Sequence, residues 1–183
     1  MALHDVPGGL PLPPATLILG GARCGKSALA EAMAVASGDR LTYLATGLAV
    51  DDEMAARIAE HQARRDGWTT VEEPLAMPRA LAEHAGDGCV VVVDCLSFWL
   101  ANLMEAERDV ARETDRLVRV LRNLPGAAIL VGNEVGHDIV PVNELARRFR
   151  DANGRLNQQI AAACQRVILT VAGLPMILKK EEE

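Results

Sequence analysis

The stretch TLILGGARCGKSALAEAM, residues 16–33, decides the fold. TLILG (16–20) is a short, nearly continuous apolar run, the pattern of a strand covered on both faces. GGARCGKS (20–27) then satisfies G-x-x-x-x-G-K-[ST] without exception, and the residues after it open a helix expected over 26–37. Strand, glycine turn and helix in that order form a cradle for phosphate. Glycines let the chain curl through Gly20, Gly21, Ala22, Arg23, Cys24 and Gly25, so that backbone N–H groups face inward. Lys26 then brings a point charge to the β and γ phosphates of a nucleotide, and Ser27 is placed to ligate Mg2+. The helix that follows aims its positive end at the same spot.

Outward from the cradle, four more runs read as buried strands: LTYLA (41–45), CVVVVD (89–94), AAILVG (127–132) and RVILTVAG (166–173). Helical stretches are expected between them at 51–65, 74–84, 96–122 and 142–164. In the last of these Leu145, Phe149, Ala152, Leu156, Ile160 and Ala163 make one apolar stripe. This alternation predicts an α/β fold of the P-loop NTPase type, an open and mostly parallel sheet with helices on both faces. Residues 15–180 are expected to form a single nucleotide-binding domain behind a flexible Pro- and Gly-rich lead-in at 1–14. Polar residues gather after four strand ends: the cradle, Thr46-Gly47, Asp94 and Asn133-Glu134. In open α/β sheets that edge is where ligands bind. Asp94, closing VVVVD, stands where nucleotide triphosphatases deliver a carboxylate to the Mg2+ shell.

Composition narrows the function further. Aromatic residues are 3% of the chain, so stacking on bases is not a theme, and the net charge of −6 argues against a nucleic-acid or membrane surface. No apolar run approaches membrane-spanning length, and MALHDVPGGLPLPP lacks the basic start and apolar core of a signal peptide. Cys24, Cys89, Cys95 and Cys164 are widely spread with no C-x-x-C pair, which reads as reduced thiols in the cytoplasm. The absence of an N-K-x-D motif excludes an ordinary GTPase switch. The cradle and VVVVD alone would suit a small-molecule kinase or a nucleotide-dependent switch or assembly ATPase.

DDEMAARIAEHQARRDGW (51–68) raises a separate question. Asp51 or Asp52 can cap a helix on which Met54, Ile58 and His61 follow one row, so His61 points with the apolar residues. Such an imidazole suits a packed core or a nucleophile for a second phosphorus chemistry, and the residues alone leave both open.

Taken in order, GGARCGKS, LATG, DDEMAARIAEHQARR, VVVVDCLSFWLANLM and NEVGHDIVPVNELARRFRDANGRLNQQIA resemble the bifunctional adenosylcobinamide kinase / adenosylcobinamide-phosphate guanylyltransferase family of cobalamin synthesis. The resemblance runs from about residue 16 to 178. It implies two reactions: a nucleoside triphosphate, ATP or GTP, phosphorylates adenosylcobinamide, and GTP then donates GMP to the phosphate through a guanylylated histidine. That histidine falls on His61. The resemblance also implies that Ala45, Thr46, Gly47, Gln62, Ala63, Arg64, Arg65, Glu72 and Asp94 border the nucleotide. Asp94 lies near the metal, and Glu134 assists the kinase step. It implies a homotrimer with a corrinoid substrate. Two positions depart from the family pattern: Cys24 stands where Ser is usual, and Asp138 where a glycine is usual.

Overall fold

The computed structural model describes residues 12–37, 39–47, 65–137 and 139–180. His61, Gln62, Ala63, Arg64, Asp138, the helix expected over 51–65 except Arg65, and most of the lead-in lie outside the described residues. Seven strands form one sheet: β1 (Ala15–Gly20), β2 (Arg40–Ala45), β3 (Thr69–Glu72), β4 (Cys89–Asp94), β5 (Ala127–Asn133), β6 (Arg166–Val171) and β7 (Leu174–Lys180). Their order is β3-β2-β4-β5-β1-β6-β7, parallel throughout except for β7. Five described helices accompany them: α1 (Lys26–Ser37), α2 (Met77–His84), α3 (Leu96–Glu105), α4 (Val110–Leu121) and α5 (Glu144–Ala163).

The continuous apolar strands divide their side chains between two cores, as strands buried on both faces must. Leu17, Leu19, Val91, Val93 and Leu130 pack with Leu81 of α2, Trp99 of α3, Leu117 of α4 and Ile160 of α5. Ile18, Val90, Val92, Ile129 and Ile168 face the other way, against Leu29 and Met33 of α1. The expected mostly parallel α/β architecture is therefore present, with β1 near its centre.

Three differences from the expected elements have local causes. TTVE forms β3, a four-residue strand paired only with β2; its residues are largely exposed, so no apolar run marks it. The helix expected over 96–122 is two helices. Glu107 adopts φ 52°, and Asp109 restarts the helix by accepting a 3.0 Å hydrogen bond from the Arg112 N–H. RVILTVAG is not one strand to residue 173: Ala172 (φ 52°) and Gly173 (φ 80°) make a two-residue hairpin turn that starts antiparallel β7. The apolar stripe of α5 is buried at Leu156, Ile160 and Ala163, but Leu145 at its start is exposed.

Candidate active site

Strand register gathers the expected residues on one sheet edge. Ala45 pairs with both Glu72 and Asp94, Asp94 with Val131, and Gly20 with both Asn133 and Thr170. The cradle therefore sits over the carboxyl end of β1, with Asp94 to one side and the β6–β7 hairpin to the other.

The cradle needs its glycines for stated reasons. Gly20 has φ +153°, and a Cβ there would lie 2.4 Å from the Thr170 carbonyl oxygen and 2.6 Å from Cys24 Sγ. Gly25 has φ +98°, and Arg23 adopts φ 54°. The Gly173 N–H donates to the Cys24 carbonyl at 2.9 Å, so the hairpin turn braces the loop from outside. We expect Gly20→Ala to weaken GTP binding about tenfold or more in calorimetry, since backbone strain of this kind costs on the order of 1–3 kcal/mol. Wild-type affinity in that variant would show that the close approach of Gly20 to Thr170 is not needed.

Lys26 is buried, and its Nζ donates to the Gly21 carbonyl at 2.6 Å and lies 3.7 Å from Cys24 Sγ. Its ammonium is thereby folded over the loop. Ala22 and Arg23 are exposed on the loop, and Ser27, at the start of α1, is half-buried.

Asp94 accepts a 2.9 Å hydrogen bond at Oδ2 from the Tyr43 hydroxyl. Burial, and then the Asp94 charge, raise the Tyr43 pKa, so the phenol stays protonated and remains a donor. The Arg65 guanidinium lies 3.4 Å above the Tyr43 ring centroid, and its Nε is 3.8 Å from Glu31 Oε1 on α1. Arg65, expected to border the nucleotide, is thus buried beneath the edge. Burial, with the Asp94 charge adding to it, pushes the neighbouring Cys95 thiol up to about 12, which leaves it neutral and unreactive.

Thr46 is also structural. Its N–H donates to the Asp94 carbonyl, and its hydroxyl donates to the Cys95 carbonyl (2.7 Å) and accepts from the Cys95 N–H (2.8 Å). Its carbonyl accepts from Asn102 at 2.8 Å. Every polar group of Thr46 is engaged within the protein. Gly47 lies against the Phe98 ring, where an added Cβ would be 3.5 Å away. Glu72 is exposed at the end of β3, whereas Glu73 turns in and accepts from the Leu75 and Ala76 N–H groups ahead of α2.

The Asn133–Glu134 step is gripped from two helices. The Asn133 carbonyl accepts from Asn153 (2.9 Å) and Asn157 (3.1 Å), one turn apart on α5. Its N–H donates to Ser97 Oγ at 3.1 Å, and that hydroxyl donates to Asn153 Oδ1 at 3.0 Å. Glu134 is fixed in turn: its N–H donates to the Gly20 carbonyl at 3.0 Å, and its Oε1 accepts from the Gly136 N–H at 2.7 Å. Tyr43, Ser97, Asn153, Asn157 and Thr170 were not singled out from the sequence. The one legible signal was two asparagines four residues apart, beside an otherwise apolar stripe.

A phosphate cradle on a central parallel strand, beside a strand-end carboxylate, defines a P-loop nucleotide-binding protein. The fold agrees with solved structures. The flagellar accessory protein FlaH of Methanocaldococcus jannaschii superimposes with TM-score 0.56 at 18% identity, covering 95% of this chain and 81% of that one. The RadB recombinase gives 0.51 at 17% identity, covering 91% and 79%. Within that class, residues 16–178 match the cobinamide kinase / cobinamide phosphate guanyltransferase family, and the chain belongs to it. It is 51% identical over 168 residues to the bifunctional adenosylcobalamin biosynthesis protein CobP of Pseudomonas aeruginosa, covering 90% of this chain and 97% of the relative. It is 37% identical over 179 residues to the Escherichia coli protein CobU of the same description, covering 89% and 98%.

Proposed function

We propose that this chain, a cobinamide kinase and cobinamide phosphate guanylyltransferase of cobalamin biosynthesis, runs both reactions over one phosphate cradle. In the first, the aminopropanol hydroxyl of adenosylcobinamide attacks the γ-phosphorus of ATP or GTP. Its proton passes to the Glu134 carboxylate, and the nucleoside diphosphate leaves. In the second, a His61 nitrogen attacks the α-phosphorus of GTP, the bond to the β-phosphate breaks, and pyrophosphate leaves. An oxygen of adenosylcobinamide phosphate then displaces the imidazole to give adenosylcobinamide-GDP. Lys26 and the inward N–H groups of Gly20 to Ser27 hold the departing phosphates in both. Near its usual pKa of ~6.5, an imidazole is largely neutral and nucleophilic at pH 7.

The observation that carries this reading is the fastening of residues 47 and 65 at one sheet edge. Gly47 follows the Thr46 anchor beside Asp94, and Arg65 is stacked on Tyr43, which itself bonds Asp94. His61 precedes Arg65 by four residues, a length of chain that reaches at most about 14 Å. His137, on the exposed stretch after β5, lies outside the family's histidine block and is not assigned a role.

Asp94 and Ser27 would hold Mg2+. Tyr43 takes Oδ2 of Asp94 and leaves Oδ1, and among the described residues no cluster of three His, Cys, Asp or Glu forms a complete protein cage. Mg2+ suits such a sparse site, because it takes one or two carboxylates and fills its shell with phosphate and water oxygens. When bound, it neutralises charge on the phosphates. Ala45, Gly47, Glu72 and residues 62–64 border the nucleoside, while Thr46 and Arg65 hold that border in place.

Among the described residues no helix is long and apolar enough to cross a membrane, and four free cysteines support a cytoplasmic assignment. Exposed Leu174, Met176, Ile177 and Leu178 on edge strand β7 support a homo-oligomer, a trimer by family resemblance. Mass spectrometry of corrinoid products tests the whole reading. ATP alone should yield adenosylcobinamide phosphate, and GTP should yield adenosylcobinamide-GDP with pyrophosphate. An unmodified corrinoid under both conditions would refute it.

A further inference from the structure

We infer that the corrinoid ring docks in the apolar groove between α3 and the start of α5, walled by Val135, Ile139 and Pro141; this rests on the function just proposed. Met104 and Phe149 form its floor, and both pack on the larger hydrophobic core. Its walls include apolar side chains left in solvent: Ile139 is 93% exposed and Leu145 62%. Large apolar side chains are scattered singly on most protein surfaces, whereas a contiguous group marks a binding surface. The cavity encloses about 800 Å3, toward the upper end for small-molecule sites, which suits one face of a macrocycle that remains partly outside.

Position selects the occupant. Val135 lines the groove and directly follows Glu134, whose N–H is bonded to the Gly20 carbonyl at the start of the cradle. A flat ring resting on Met104, Phe149 and Leu145 can therefore extend a hydroxyl-bearing arm past Glu134 to a γ-phosphate held by Lys26. The rim supplies Glu105, Asn143 and Arg150, polar groups matched to the amide arms at the edge of a corrin. The fit is of one ligand to two adjoining surfaces, an apolar bed and a phosphate cradle. A second cavity of about 690 Å3 between α2 and α4 does not compete. It is lined by Arg79, Arg108, Arg116 and Arg119 and runs to Asn123–Pro125, ahead of the amino end of β5 and away from the cradle.

Equilibrium dialysis against cobinamide, followed by its own visible absorbance, tests the assignment in full-length wild type, Leu145→Asp, Ile139→Asp and the control Arg119→Glu. GTP affinity and sedimentation mass are measured on the same samples. The two groove variants should bind cobinamide at least tenfold more weakly, with GTP affinity and mass unchanged, and Arg119→Glu should match wild type. Undiminished cobinamide binding in both groove variants would overturn the proposal. So would a fall in mass with cobinamide binding intact, which would give this surface to a second copy of the chain. Wild-type protein that binds GTP but no cobinamide would overturn the functional reading and the groove together.

Discussion

Lys26→Met should abolish both activities, lowering each by on the order of 10³-fold or more, the scale of losing a charge stabiliser in a water-poor site. Methionine keeps the length and apolar stem of the side chain, so the buried packing around residue 26 should survive. What disappears is the ammonium that donates to the Gly21 carbonyl at 2.6 Å and would turn to the phosphates when a nucleotide arrives. The two reactions break different bonds, at the γ- and the α-phosphorus, yet both need the same end of the triphosphate held and its charge offset. A single cradle therefore predicts a joint loss. Circular dichroism should show an unchanged fold. Either activity persisting within about tenfold of wild type would mean that it uses another phosphate site.

His61→Ala should separate the two activities. GMP transfer should fall by on the order of 10⁴-fold or more, the scale on which removing a nucleophile acts. Phosphorylation of adenosylcobinamide should continue, because γ-phosphoryl transfer proceeds by positioning and charge stabilisation and needs no covalent help from the protein. His137→Ala should retain both. Loss of the kinase along with the transferase would demote His61 to a group that holds the nucleotide. Transfer surviving in His61→Ala but lost in His137→Ala would move the nucleophile to the exposed segment after β5.

What was legible in the chain was local. GGARCGKS carries its own turn chemistry, so its cradle, the preceding strand and the start of α1 lie where the motif predicts. The buried runs ending at Ala45, Asp94 and Gly132 are strands, because a sheet covered on both faces takes such short continuous apolar stretches. Edge strands escape that logic: β3 is largely exposed, and β7 is recognisable only once Ala172 and Gly173 are seen with positive φ. The partners of the site residues were less visible still. Nothing near Asp94 in sequence indicates that Tyr43, 51 positions away, bonds its carboxylate, or that Thr170 closes on Gly20. Asn153 and Asn157 lie on a helix whose apolar stripe is plain. That they grip the Asn133 carbonyl depends on how α5 crosses the end of β5, which is a tertiary fact. Arg65 sits in a run of charged residues that suggests a solvated face, whereas it is buried against the Tyr43 ring and beside Glu31, both distant in sequence.

The most direct test is incubation of the protein with GTP labelled at the α- or, separately, the γ-phosphate, followed by denaturation and gel autoradiography. The α-label should remain on wild-type protein, stable to alkali and released by acid as a phosphoramidate is, with none from the γ-label and none on His61→Ala. Wild-type protein that takes up no α-label, or His61→Ala that takes it up undiminished, would contradict a guanylylated His61.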